Sequence, residues 1–333
     1  MSAESVNPTV DAAVTAPPAV AGPLGSGAPV LAFDVGGTDT KGALIDGAGR
    51  LAEVLRLPTP HDGPGTGDAV MRAIDGMAAR LRAQHPEIVP RAAGLLVPGH
   101  VDDDAGIGIF AENLGWHDFP FRERAEQSLG VPVSFSHDVR GAGEAEHRLG
   151  AAAPFRDVVV MAIGTGIAGA VFLDDRIHTG GGMAGEMGHS RVADGPACAC
   201  GGMGCLEAVA SAAAIARRYN ALTGADVHGA REVLARAEAG DDAARSVWDS
   251  AIDALALDLS HTVALLAPEA IVIGGGLAQA GPALFRPLAE KLDGILTFQR
   301  RPVLLPASVG ENAGVIGAGL RARDLLAAAE ATS

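Results

Sequence analysis

Positive charge, aromatic side chains, cysteines and long apolar runs are all scarce in this 333-residue chain. Lysine and arginine number 25 against 40 aspartates and glutamates, a formal net charge of −15. Phosphate-backbone contacts need clustered cations, so general binding of nucleic acid or of anionic membranes is disfavoured. A small phosphate ligand held by backbone amides and Mg2+ remains compatible with that charge. No apolar run approaches the ~20 residues that cross a bilayer, and no basic segment leads into an apolar one as in a secretory signal. A soluble, cytoplasmic protein is the expectation. Aromatics are only 4% of the chain, while the hydrophobic fraction, 48%, is ordinary for a globular protein. The length permits two domains. Residues 1–28 are rich in Ala, Pro, Ser, Gly and Val without periodicity, and read as a disordered tail.

The cysteines are few but concentrated. All three, Cys198, Cys200 and Cys205, fall within eight positions, with His189 just upstream. Three thiolates and one imidazole make a closed tetrahedral set for a structural zinc, with no position left for water. Gly201, Gly202 and Gly204 let the backbone curl around such an ion. The competing reading is a set of buried cysteines or a redox pair, but clustered Cys and His in an intracellular chain favour metal. Two carboxylates, Glu186 and Glu207, bracket the knot without being needed by it.

From residue 29 the pattern is strand, turn, strand, then alternating helices and strands. Val30–Asp34 and Thr40–Ile45 read as a hairpin around Gly36, Gly37 and Thr38. Residues 68–84 show helical spacing, with Val70, Met71, Ile74, Met77 and Leu81 on one side. Residues 91–97 and 131–135 are buried-strand candidates, the second followed by a helix from Asp138. Val158–Ile163 and Gly169–Asp174 then repeat the first hairpin around Gly164, Thr165 and Gly166, a weak internal duplication. The rest is expected to be helical (206–219, 229–238, 242–267, 283–294 and 312–329), interrupted by one strand, 270–273, that runs into Gly274, Gly275 and Gly276.

Three glycine turns at strand ends suggest phosphate binding, because glycine lets backbone N–H groups approach phosphate oxygens. One such turn alone is more often a plain hairpin. Asp34, beside the first, could hold Mg2+. Asp138 follows an apolar strand and opens a helix. There it could serve as a general base or simply as an N-cap, and its position does not choose between them. His137 is ambiguous for the same reason.

Together, Asp34-Val-Gly-Gly-Thr-Asp-Thr-Lys41, Glu112-Asn-Leu-Gly-Trp116, His137-Asp138, Gly164-Thr-Gly-Ile167, Gly185-Glu-Met-Gly-His189 and Cys198-x-Cys-x4-Cys-Leu-Glu207 resemble the ROK family of bacterial sugar kinases and repressors. The resemblance runs in order from about residue 29 to 320. It implies an α/β, actin-like (ribonuclease H-like) two-domain ATPase fold with duplicated sheet cores. The domains would be 29–137, completed by the helix 312–330, and 138–311 with the zinc knot. It implies that Asp138 deprotonates the 6-hydroxyl of a hexose gripped by Gly99, Glu112, Asn113, His137, Asp138, Glu186, His189 and Glu207. ATP would meet Asp34, Gly36, Gly37, Thr38, Lys41, Gly164, Thr165 and Gly166, with adenosine near Gly274, Gly275 and Gly276. His189, Cys198, Cys200 and Cys205 would hold zinc, and Asp34 would hold Mg2+. Family members form dimers or tetramers.

Two positions depart from the family pattern. His137 replaces the usual asparagine, which puts the sugar's identity in doubt. A histidine can accept from an amine or hydroxyl, so an amino sugar such as kanosamine stands beside glucose and N-acetylmannosamine as a candidate. Arg140 replaces a common Asn or Ala, with no consequence readable from sequence. A sugar-sensing repressor is disfavoured, since the segment before the first strand is short and Pro-rich for a helix-turn-helix. A non-catalytic sugar-binding scaffold fits poorly with Asp34, Asp138 and all three turns. A polyphosphate-using kinase fits poorly with the cysteine knot.

Overall fold

Alternate residues of the strand Val30–Val35 face two different cores, which is why its sequence reads as an almost unbroken apolar run. Leu31, Phe33 and Val35 enter one core, Val30 and Ala32 the other. The computed structural model describes residues 24–112 and 114–332. Most of the expected tail (1–23) and the expected sugar ligand Asn113 therefore lie outside the described residues.

The first half runs β1 (Val30–Val35), β2 (Asp39–Ile45), β3 (Leu51–Pro58), α1 (Thr66–Gln84), β4 (Ala92–Val97), β5 (His100–Asp102), β6 (Ile107–Phe110), β7 (His117–Phe119), α2 (Phe121–Leu129), β8 (Val133–His137) and α3 (Asp138–Leu149). The second runs β9 (Val158–Ile163), β10 (Ile167–Leu173), β11 (Arg176–His178), α4 (Leu206–Ala210), α5 (Ala212–Thr223), α6 (Ala230–Glu238), α7 (Asp242–Leu266), β12 (Ala270–Gly274), α8 (Pro282–Ile295), β13 (Val303–Pro306) and α9 (Ala313–Ala331).

Each half contains a five-stranded sheet, ordered β3-β2-β1-β4-β8 and β11-β10-β9-β12-β13. In both, the first three strands pair antiparallel and the last three parallel. The weak sequence duplication is thus a full duplication of topology. β9 repeats the logic of β1: Val159, Met161 and Ile163 face the helical core of α7 and α8, Val158 and Val160 the opposite one.

α1 buries Val70, Met71, Ile74, Met77 and Leu81 against the first sheet. Each such side chain contributes about 1.5–3 kcal/mol relative to exposure. α9 covers the opposite face through Val315, Ala318 and Ala322. α3 and α9 cross closely between the sheets. A Cβ on Gly317 would sit 1.9 Å from the Gly141 carbonyl, so glycine sets how near the two helices come.

The small sheet β5-β6-β7 is an excursion from the end of β4. Trp116 and Phe121 (centroids 5.0 Å apart) anchor it to the first core. Two sequence expectations need correction. The helix 206–219 is two helices, broken at Ser211, whose Oγ accepts the Ala214 N–H as a new cap. A second strand, β13, interrupts the helical C-terminal part. Its four residues, one of them exposed, are too few to show a period.

Candidate active site and metal cluster

The glycine turns share one property: they leave amides free. Between β1 and β2, Gly36 N–H donates to the Asp39 carbonyl, and Thr59 ties down the Gly36 and Thr38 carbonyls. The Gly37 and Thr38 amides have no partner among the described residues. Between β9 and β10, Gly164 N–H donates to Gly166 O, while the Thr165 and Gly166 amides have none. Gly275 and Gly276 likewise keep unpartnered amides, and Gly275 (φ 82°) lies against the Ile163 backbone, bringing the third turn beside the second. Such amides suit phosphate oxygens.

Asp34 points out of the end of β1 beside the first turn. Its carboxyl is pushed up to about 7, first by burial and then by the charge of Asp138, with Lys41 opposing. The two expected acids therefore share one electrostatic site. Lys41 pairs in register with Asp34 and donates from Nζ to the Glu311 carbonyl. α9 begins here: a Cβ on Gly314 would fall 2.1 Å from Asp34 Oδ2. A half-buried carboxyl without a hydrogen bond among the described residues, raised toward neutrality by desolvation and then by another acid, is a fitting ligand for a divalent cation.

β8 delivers His137 and α3 starts at Asp138. The N-cap is His137, whose Nδ1 accepts the Val139 N–H at 3.2 Å. Asp138 is therefore not the capping residue, although its Oδ1 accepts the same N–H at 2.7 Å. Burial pushes the Asp138 carboxyl up to about 6, with the Val139 N–H bond and then Arg140 pulling it back. It keeps 22% side-chain exposure, so a ligand can reach it. An accessible carboxylate tuned this close to neutral suits a general base. His137 is pushed down to about 4, by burial first and by Arg140 second.

Arg140 is the residue that sequence reasoning left without a role. It is buried, donating from Nη2 to Asp103 Oδ1 (2.9 Å) and from Nη1 to the Gly182 carbonyl (3.2 Å). Ser136 Oγ donates to the other Asp103 oxygen at 3.1 Å. Only the charge of position 140, near the small residues Gly141, Gly143 and Ala145, marks it in the sequence.

The cysteines and His189 converge as expected, their ligand atoms all within 4.8 Å of one another. Cys198 Sγ lies 3.6 Å from His189 Nδ1, and Cys200 Sγ 3.7 Å from Cys205 Sγ. Zn–S and Zn–N bonds of about 2.3 and 2.0–2.1 Å imply tetrahedral edges of roughly 3.8 Å (S–S) and 3.6 Å (S–N). The cluster is thus compatible with zinc. With Nδ1 turned to the thiols, His189 Nε2 lies 3.9 Å from Glu186 Oε2. Glu186 is also felt by His137. Glu207 bridges the knot and the second turn, its Oε2 accepting the Ile167 N–H at 2.9 Å beside Gly166.

The remaining expected residues sit at the excursion. Gly99 (φ 87°) packs against the Phe110 carbonyl and Ala111, where a Cβ would fall 2.4 Å from that oxygen. Glu112 follows on the same turn and is exposed, without a bond to the other described site residues.

Comparison with known proteins agrees with this geometry. The ROK family profile matches residues 30–324. A glucokinase from Halalkalibacterium halodurans is 33% identical over 308 residues, covering 87% of this chain and 93% of that protein. An N-acetylmannosamine kinase from Salmonella typhi is also 33% identical, covering 88% and 98%. Among solved structures, a ROK hexokinase from Thermus thermophilus aligns with a TM-score of 0.78 at 33% identity, covering 90% and 99%. A ROK glucokinase from Streptomyces griseus, in complex with glucose and AMPPNP, aligns at 0.72 and 28% identity, covering 89% and 98%. The duplicated sheets are those of the actin-like ATPase fold, and the chain belongs to the ROK family.

Proposed function

We propose that the protein is an ATP-dependent hexose kinase that phosphorylates the sugar 6-hydroxyl, with D-glucose as its substrate. The observation that carries this reading is the placement of Asp138. Its carboxyl opens α3 at the site that also holds Asp34, and lies near neutral in its proton affinity. Asp138 takes the 6-hydroxyl proton as that oxygen attacks the γ-phosphorus, and ADP leaves. The free amides of Gly37, Thr38, Thr165 and Gly166 hold phosphate oxygens, and the turn Gly274–Gly276 receives the adenosine. Asp34 would hold Mg2+, which supplies charge neutralisation on the phosphates when bound.

In this reading the two sheets are the cores of two lobes, 29–137 with the C-terminal helix and 138–311. The sugar lies between them against Gly99, Glu112, Asn113, Glu186, His189 and Glu207. His189, Cys198, Cys200 and Cys205 would hold a structural zinc, with His189 Nδ1 on the thiol side and Nε2 on the side of Glu186. Family membership supports a cytoplasmic homodimer or homotetramer. Among the described residues no helix is long and apolar enough to cross a membrane.

An N-acetylhexosamine is the second reading, supported by the N-acetylmannosamine kinase relative. The deciding experiment is ADP release from Mg-ATP with a panel of hexoses and N-acetylhexosamines. Turnover of glucose above the others is expected. Turnover confined to N-acetylmannosamine favours the second reading, and silence on every sugar with intact fold and metal removes both.

A further inference from the structure

His137 stands where the family pattern has a different side chain, and its two ring nitrogens have different fates. Nδ1 is already used, accepting the Val139 N–H at 3.2 Å as the cap of α3. It also lies 3.3 Å from Asp138 Oδ1, without a hydrogen bond between them. That contact favours a proton on Nδ1, in the charged ring or in one neutral tautomer, but such a proton would face the Val139 N–H. With Nδ1 an acceptor, a neutral imidazole carries its proton on Nε2, which can then only donate.

Burial sets this neutral state and Arg140 reinforces it. The arginine lies three residues further along α3, its guanidinium cannot lose its proton, and it is clamped from two sides. Asp103 comes from the β5–β6 connection and the Gly182 carbonyl from the short turn Gly180–Gly182. The charged or titratable groups around the imidazole are Arg140, Asp138, Glu186, Asp103 and His100. Asp103 is shared among Arg140, Ser136 and Arg321, whose Nη2 lies 3.9 Å from its Oδ2. Burial and Arg140 outweigh the pull of Glu186 and leave the ring neutral.

We propose that the cap on Val139, backed by burial of the ring with Arg140 as a positioning charge beside it, holds His137 as a donor-only imidazole, so that the sugar position facing His137 must present an acceptor. A hydroxyl or an N-acyl carbonyl satisfies Nε2–H, whereas an ammonium sets donor against donor beside a buried guanidinium. Asp138 and Glu186 also flank the ring, so rejection is confined to the one ring carbon that faces Nε2 and does not fall on all amino sugars. This reverses the reading of His137 as an acceptor for an amine. It rests on the sugar-kinase reading and narrows its substrate class.

The test combines two measurements on the full-length protein. Ring 15N shifts of His137, assigned with His137→Gln, report the tautomer and its titration. Glucose and its 2-, 3- and 4-amino analogues are compared for kcat/KM at about pH 6.5, where the amines are protonated. The expected result is an Nε2–H ring that stays neutral down to about pH 5. At least one amine position should be about 10- to 100-fold poorer than glucose, the penalty shrinking as pH rises and the amine loses its proton. Arg140→Gln, which removes the opposing charge and leaves Asp103 and Glu186 in place, should move the ring's titration up from about 4, with burial still holding it below the ordinary histidine range. It should also make the glucose KM depend on pH between about 5 and 7. Arg140→Lys should restore the neutral ring.

A proton on Nδ1, a His137 that charges above about pH 6 in the unaltered protein, or three amines all within about three-fold of glucose would each overturn the proposal. If no hexose is turned over, the kinase reading fails, and the ring shifts still decide the state of His137.

Discussion

The two halves share a strand order and differ in chemistry. Asp34 is the fifth of six residues in β1, and Ala162 is the fifth of six in β9. Lys41 pairs with Asp34, and Ala168 pairs with Ala162. α3 follows the last strand of the first sheet and begins with Asp138. α9 follows the last strand of the second and begins Ala313-Gly314, against the Asp34 carboxyl. The first half thus carries both acids, while the second contributes free amides and small residues that make room for them. What charge the second turn touches, Glu207, arrives from the segment that follows the cysteine cluster. The two sheets are alike in strand order, and at this strand position only the first carries an acid.

The largest test of that asymmetry is Asp138→Asn, which keeps the shape of the α3 terminus and removes the base. A drop in kcat of about 10²- to 10⁴-fold is expected, with sugar affinity changed far less. Steady-state kinetics with an isothermal titration of sugar binding separates the two. Next comes the knot: Cys200→Ser should lose stoichiometric zinc by metal analysis and destabilise the fold by about 3 kcal/mol or more. Full metal content in that variant would remove the zinc assignment. Gly314→Ala attacks the second half's share. Alanine favours the helix, so stability should hold or rise slightly. The new Cβ must displace the Asp34 carboxyl, however, and a shift of that size costs about 10²-fold in rate. Unchanged kcat in Gly314→Ala would mean that Asp34 has no fixed place in the reaction.

How much of this was readable beforehand follows the same divide. The glycine turns, the long helices and the cysteine spacing are local patterns, and the structure places them where the sequence suggested. Links between distant segments were not readable. Arg140 meets Asp103 across 37 positions and Glu207 meets Ile167 across 40, and neither residue type carries a period. The short strands β5, β7 and β11 span three residues each, too few for alternation to show. His137 was the hardest position. Its residue type suggested an acceptor, and only the cap geometry reveals which nitrogen is already engaged.

The smallest expected effect concerns stability, and it separates the halves at equivalent positions. The Asp34 carboxyl sits at about 7 in the folded protein against 3.8 ordinarily. Between those values the folded chain holds a proton that the unfolded chain releases. The cost of burying Asp34 is therefore absent below pH 4, grows as pH rises, and is complete above about 7. Asp34→Asn removes it, so the metal-free variant should be more stable than its parent by about 1–3 kcal/mol at pH 8, partial solvent access trimming the full electrostatic value. The gain should vanish near pH 4. Ala162→Asp places the same group in the second sheet and should destabilise at pH 8 with the opposite sign. Urea unfolding of the three proteins at about pH 8 and 4 reads both effects, and His137 cancels because it is common to all. If Asp34→Asn instead weakens the fold at pH 8, the carboxylate is held by favourable contacts, and the acid pair is not the strained feature that Mg2+ would relieve.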